Sequence, residues 1–185
     1  NLQKAAKAIM EEFGGEFPGT YEAVRALPGV GDYTAGAICS ICFERPTPAV
    51  DGNVLRVLSR VMEDGAPVTN QKTKTAYREA LLPLYEAGSR GTLTQALMEL
   101  GAMVCGPNGA PKCESCPLRD MCLANAHGTW EKYPVKEAKK AKREEEKTVF
   151  YLTCDGCLAV RKRESKGLLA GLWELPNVEG KLDAA

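Results

Sequence analysis

Apolar residues recur at helical spacing over most of the first hundred positions. Leu2, Ala5, Ala6, Ile9, Met10 and Phe13 fall three and four apart, which predicts an amphipathic helix over 2–13. Gly14 and Gly15 end it, and Thr20 is placed to cap a second helix over Tyr21–Ala26. The tight turn Leu27-Pro28-Gly29-Val30-Gly31 leads into a helix from Asp32 to Phe43. Beyond Pro46 and Pro48, Asp51 can cap a helix on which Val54, Leu55, Val57, Leu58, Val61 and Met62 are apolar. Helices over Gln71–Ala87, bent at Pro83, and over Thr92–Val104 complete the run.

The pattern then changes twice. Residues 132–147 are charged and nearly free of large apolar side chains, which reads as a linker. From Thr148 the period becomes strand-like: Val149 and Tyr151, then Leu158 and Val160, flank the hairpin dipeptide Asp155-Gly156. A second domain is therefore expected to begin near residue 148. The remaining residues are too few to complete a sheet core, so an interrupted C-terminal domain is expected.

Composition narrows the setting. Lys plus Arg and Asp plus Glu number 24 each, so net charge says nothing for or against nucleic acid, and a neutral sum can conceal a basic face. The apolar runs are short and broken by polar residues, which argues against a membrane span. The first residues, Asn1-Leu2-Gln3-Lys4, resemble neither a signal peptide nor a natural start, and a cut N-terminus is expected. With 8 cysteines and no secretory signal, a reducing cytoplasm is the expected compartment.

Four of those cysteines restrict the chemistry most. Cys105, Cys113, Cys116 and Cys122 are separated by seven, two and five residues. Four thiolates on one short irregular loop can enclose a metal centre, either an iron–sulfur cluster or structural zinc. Zinc ribbons usually present two separate C-x2-C knuckles; here one C-x2-C pair is flanked by single cysteines. Disulfides or free thiols are the remaining reading.

Two further features carry candidate chemistry. Gly29 and Gly31 allow close backbone approach, and the amides of Val30, Gly31 and Asp32 open a helix N-terminus suited to a phosphate oxygen. The plainer reading is an ordinary helix–helix turn, and the Asp32 carboxylate could cap the same amides. Asp51, at the mouth of the next helix, is either an N-cap or a functional carboxylate. Among weaker signals, the C-x2-C pairs Cys39/Cys42 and Cys154/Cys157 could form a second thiolate site, although Cys39 and Cys42 also suit a buried helix face. His127, the single histidine, reads as a surface residue. The basic residues of 132–147 read as a solvated connector or as a tether resting on phosphate.

The run LPGVGDYTAGAICSICFERPTPAVDGNVLRVLSRV resembles the helix-hairpin-helix DNA glycosylases with a catalytic aspartate. With ELGAMVC, the cysteine loop and the strand-rich extension, the chain is similar to the adenine DNA glycosylases of the MutY type. The resemblance implies a mainly α fold. A helix-hairpin-helix glycosylase domain would span 1–127, with a [4Fe–4S] loop at 105–122 held by Cys105, Cys113, Cys116 and Cys122. A charged linker over 128–147 and the start of a Nudix-like α+β domain over 148–185 would follow. Leu168-Leu169-Ala170-Gly171-Leu172-Trp173-Glu174-Leu175-Pro176 resembles the opening of that domain, which inspects 8-oxoguanine and here carries no hydrolytic Glu-rich helix.

The implied activity is hydrolysis of the N-glycosidic bond of an extruded adenine paired with 8-oxoguanine or guanine in double-stranded DNA. Asp51 would stabilise or trap the oxocarbenium-like sugar, Asn53 would hydrogen-bond within the site, and Tyr33 would lie beside the sugar. Gly29, Val30, Gly31 and Lys112 would contact DNA. Relatives of the endonuclease III type carry a Schiff-base lysine where Tyr33 stands; a phenol forms no imine, so strand cleavage is not expected. The family's general acid is a Glu expected upstream of residue 1, since neither Glu11 nor Glu12 has a matching context. The isolated chain is therefore expected to be inactive or nearly so. Between Cys105 and Cys113 the loop is one residue longer than the family pattern. The rival reading is a non-catalytic iron–sulfur DNA-binding module. A monomer in the cytoplasm, on the nucleoid when bound to DNA and with no membrane partner, is expected either way.

Overall fold

The computed structural model describes residues 1–138 and 144–182, in two compact units that divide after Ala138. The first is helical: α1 (Leu2–Glu12), α2 (Tyr21–Ala26), α3 (Asp32–Phe43), α4 (Gly52–Met62), α5 (Gln71–Ala87), α6 (Arg90–Glu99) and the short α7 (Leu123–Ala126). Thr20 caps α2 by accepting the Ala23 amide at 3.4 Å, and Asn70 caps α5 through the Lys72 amide at 2.9 Å. α5 runs through Pro83. No described helix is long and apolar enough to cross a membrane.

The unit is organised around α4, whose side chains enter two core clusters. Val54 packs with Leu81, Tyr85 and Leu97, while Leu55 packs with Val68 and Tyr77. A third cluster, Val24 with Ala35 and Cys39, closes the α2–α3 hairpin. Each fully buried aliphatic side chain contributes about 1.5–3 kcal/mol. Polar groups inside the core are paired. Tyr85 Oη and Thr94 Oγ1 share a hydrogen bond of 2.8 Å, the Thr94 hydroxyl meets Ser40 Oγ at 2.8 Å, and Ser40 donates to the Gly36 carbonyl at 2.7 Å. Among the described residues, every buried side-chain nitrogen and oxygen has a partner. α1 forms as its periodicity predicts, yet none of its residues is buried: Leu2 and Met10 of its apolar stripe are exposed, and Ala5 and Ile9 are half-buried.

The last predicted helix ends differently. α6 stops at Glu99, and Leu100–Val104 continue as a π-helical turn in which the Cys105 amide donates to the Leu100 carbonyl at 2.8 Å. The wider turn lies against the start of α4, where a Cβ on Gly101 would stand 2.5 Å from the Asn53 Cβ. Only glycine admits that approach. Residues 128–138, the first part of the linker expected over 128–147, are ordered on this unit: the Val68 amide donates to the Val135 carbonyl at 2.9 Å, and Trp130–Lys132 form a helical turn. Aromatic and apolar anchors inside a charged stretch are the reason. Of the predicted basic tether, Lys139, Lys140, Lys142 and Arg143 lie outside the described residues.

The second unit pairs short antiparallel strands: β1 (Lys147–Val149) with β6 (Asn177–Glu179), β2 (Thr153–Cys154) with β3 (Cys157–Leu158), and β4 (Arg161–Lys162) with β5 (Trp173–Glu174). The expected hairpin turns at Asp155-Gly156, with φ of 48° and 75°. Glu174 receives Arg161 Nε at 2.9 Å and Arg163 Nη1 at 2.6 Å. None of this unit's described residues is buried. Within the first unit, Gly101→Ala is expected to cost about 1–3 kcal/mol by forcing the π turn off α4, read as a lowered denaturation midpoint with an unchanged slope.

Candidate functional site

Asp51 is the N-cap of α4. Its Oδ1 accepts the amides of Asn53 and Val54, both at 2.8 Å, and its Oδ2 accepts Asn53 Nδ2 at 2.9 Å. The capping role raised as the plain reading is thus realised, but it does not consume the group. The half-buried carboxylate also lines an open cleft of about 640 Å³ with Tyr33, Gly31 and Asp32 from the hairpin side, and Lys74 and Arg78 from α5. A carboxylate fixed by three donors at a helix N-terminus, open to solvent on one side, is prepared to face a developing positive charge.

The hairpin turn presents the opposite wall. Gly29 takes φ of 86°, and the Val30 amide closes the turn onto the Leu27 carbonyl at 3.0 Å. Asp32 does not cap α3. Its carboxylate instead accepts Arg25 Nε at 2.6 Å and the Tyr21 hydroxyl at 3.4 Å, and the Arg25 hydrogen bond holds its carboxyl below the usual range. The N-cap of α3 is Gly31, which provides no side-chain acceptor, so the first-turn amides are open to an external anion. Tyr33 is partly exposed at the cleft and donates to Met98 Sδ at 3.4 Å.

Asn53 sits behind Asp51. Its Oδ1 accepts Arg56 Nη2 at 2.9 Å, and the same guanidinium donates to the carbonyls of Gly101 at 2.6 Å and Cys105 at 2.7 Å. Burial lowers the Arg56 pKa, partly offset by the neighbouring Cys105 thiol. One turn on, Arg60 donates to Cys105 Sγ at 3.2 Å, to the Gly106 carbonyl at 3.2 Å, and to the carbonyls of Trp130 and Tyr133 at 3.1 Å each, its guanidinium lying over the Trp130 ring. Sequence reasoning singled out neither arginine. The available signal was two arginines spaced one turn apart on a helix otherwise rich in Val and Leu.

Cys105, Cys113, Cys116 and Cys122 line one small, predominantly apolar cavity beneath Arg60, with Val57, Leu118 and Trp130. Burial and then the other three thiols push the Cys113 thiol up, so four thiolates could share this space only around a positively charged group. No three of the described His, Cys, Asp or Glu side chains converge closely enough to ligate a single ion, although the four thiols surround one cavity. Lys112 is exposed on the rim, its amide tied to the Val104 carbonyl at 2.9 Å. Of the Cys39/Cys42 pair, Cys39 is fully buried in the hairpin core. His127 is exposed and contacts Glu63 at 2.7 Å.

Arg56→Met is expected to strand the Gly101 and Cys105 carbonyls and free Asn53, at a cost of about 1–3 kcal/mol in urea denaturation. Arg56→Lys recovers only part of this, because one ammonium cannot span the same acceptors.

The motif recorded for this sequence is a helix-hairpin-helix motif over residues 12–41. Adenine DNA glycosylase from Homo sapiens is 35% identical over 96% of this chain, and that from Buchnera aphidicola subsp. Schizaphis graminum 34% identical over 98%. The chain spans 41% and 52% of those two relatives' lengths. A non-covalent endonuclease III–DNA complex superposes with a TM-score of 0.57 at 26% identity, over 69% of this chain and 57% of that one. A thermostable thymine-DNA glycosylase gives 0.54 at 28%, over 68% and 57%. Helical hairpin, superposable fold and relatives agree in what this chain is similar to: the helix-hairpin-helix DNA glycosylases, and among them the adenine DNA glycosylases.

Proposed function

We propose that this chain carries the cleft in which an adenine DNA glycosylase breaks the N-glycosidic bond of an adenine opposite 8-oxoguanine or guanine. The carrying observation is Asp51: a carboxylate locked by three hydrogen bonds, set at a helix N-terminus and lining an open cleft. Bond cleavage places positive charge on the sugar, and Asp51 stabilises it without first having to reorient. The extruded nucleotide enters beside Tyr33, while the uncapped amides of α3, reached through Gly29, Val30 and Gly31, take a backbone phosphate. Lys112 adds a cation on the cysteine-loop side. Asn53 acts as a positioning residue, joining Asp51 to Arg56.

We further propose that Cys105, Cys113, Cys116 and Cys122 hold a [4Fe–4S] cluster. Support comes from the single cavity the four thiols line and from their spacing along one short loop, one C-x2-C pair flanked by single cysteines. Such a cluster would supply a rigid, charged anchor for the loop, and Arg60, which donates to Cys105 Sγ at 3.2 Å, holds the first of the cysteines that would carry it.

Three measurements decide these readings. In single turnover on a duplex with adenine opposite 8-oxoguanine, Asp51→Asn in the full gene product should slow adenine release by about 100-fold or more while the protein stays folded, since Asn also caps helices. Wild-type rates in that variant would remove Asp51 from the chemistry, and no adenine release by the unsubstituted gene product would leave a non-catalytic DNA-binding module as the better reading. Borohydride should trap no Schiff base on DNA. Anaerobically purified protein should contain about four iron and four sulfide per chain, falling sharply in Cys113→Ala; stoichiometric zinc without sulfide would sink the cluster assignment.

A further inference from the structure

The strand-bearing unit holds reactive chemistry that neither the cleft nor the cysteine cavity uses. We propose that Cys154 and Cys157 form a dithiol site, which a low-molecular-weight disulfide oxidises to an intramolecular disulfide across the β2–β3 hairpin.

The register makes Cys154 and Cys157 direct cross-strand partners. The Asp155-Gly156 turn, with φ of 48° and 75°, brings them together, and the Ala159 amide donates to the Leu152 carbonyl at 2.9 Å one step further along the ladder. Direct partners project to the same face, and at such a hydrogen-bonded pair the Cα atoms lie about 5.5 Å apart, inside the ~4.4–6.8 Å that disulfides span. Both cysteines are exposed. The Cys154 thiol donates to Asp155 Oδ2 at 3.7 Å, which orients it at the turn.

The chain's remaining thiols differ in kind. Cys39 is buried, Cys42 is exposed with only that buried thiol for its C-x2-C partner, and the other four line the metal cavity. Closure proceeds by exchange. One protein thiolate attacks a sulfur of the small disulfide, forming a mixed disulfide and expelling one small thiolate. The second protein thiolate then attacks the protein sulfur of that adduct and expels the other. One protein S–S bond forms, one small-molecule S–S bond is reduced, and the two protein protons leave on the released thiols. The closed loop is only four residues long, so the bond gains little from restraining the unfolded chain and opens readily under excess thiol.

Trypsin releases both cysteines, and no other, in the single peptide 148–161. The whole chain, kept anaerobic, would be equilibrated with rising ratios of oxidised to reduced glutathione, quenched in acid, alkylated and digested for mass spectrometry. The expected product is peptide 148–161 lighter by two hydrogen atoms and free of alkyl groups, returning to the doubly alkylated form with excess reduced glutathione. Cys42, distinguished by fragmentation from Cys39 in the peptide the two share, should carry only alkyl or a single glutathione. In Cys154→Ser, Cys157 should persist as the glutathione adduct, because no second thiol resolves it. The proposal is overturned if peptide 148–161 stays doubly alkylated at ratios where Cys42 is glutathionylated. It is equally overturned if the unsubstituted peptide accumulates stable glutathione adducts instead of closing.

Discussion

Two buried guanidinium groups on α4 hold the helical unit's chemistry in place. Arg56 joins Asn53, and through it Asp51, to the carbonyls of Gly101 and Cys105, while Arg60 grips Cys105, Gly106 and the 130–133 segment. Buried charge is costly, and what offsets it here is a nearly complete set of backbone acceptors. The helix that begins with the cleft carboxylate is therefore the same helix that anchors the cysteine loop. Neither region can shift without breaking hydrogen bonds in the other.

The π turn at Leu100–Val104 belongs to the same arrangement. A regular α-helix would direct the Gly101 and Cys105 carbonyls along its own axis, toward amides of the following turn. Widening to an i→i−5 bond releases them sideways to Arg56, and Gly101 removes the Cβ that would otherwise collide with Asn53. Local irregularity is thus confined to the junction between carboxylate and cysteine loop, while the core clusters above it remain ordinary apolar packing.

Much of the helical unit was legible in the chain. Thr20 and Asp51 announce their helices because a short acceptor ahead of an apolar period has one economical use. Asp155-Gly156 announces a hairpin because it suits paired positive φ. What could not be read were interactions that depend on distant backbone. Arg56 and Arg60 look like solvent-facing charges until Gly101, Cys105 and Trp130 are brought under them, and nothing in LGAMV separates a π turn from an α turn. Asp32 could serve either its own helix or Arg25, and only geometry shows that it serves Arg25. The start of the charged stretch at 132–147 reads as solvated, whereas Tyr133 and Val135, with Trp130 just before it, decide its placement.

The clamp on the cysteine loop also sets where this protein tolerates change in length. Cys105 and Gly106 are held by Arg60 at one end, and the Lys112 amide is bonded to the Val104 carbonyl at the other, so 107–111 form a small arch whose feet are fixed. Because closing a loop between fixed feet becomes only slowly costlier with added residues, 107–110 can gain a residue at small cost, whereas Pro111, whose carbonyl accepts the Cys113 amide at 2.9 Å, is tied to the thiols. A reporter group or affinity handle placed at its crown would ride on the cysteine cavity without loading it.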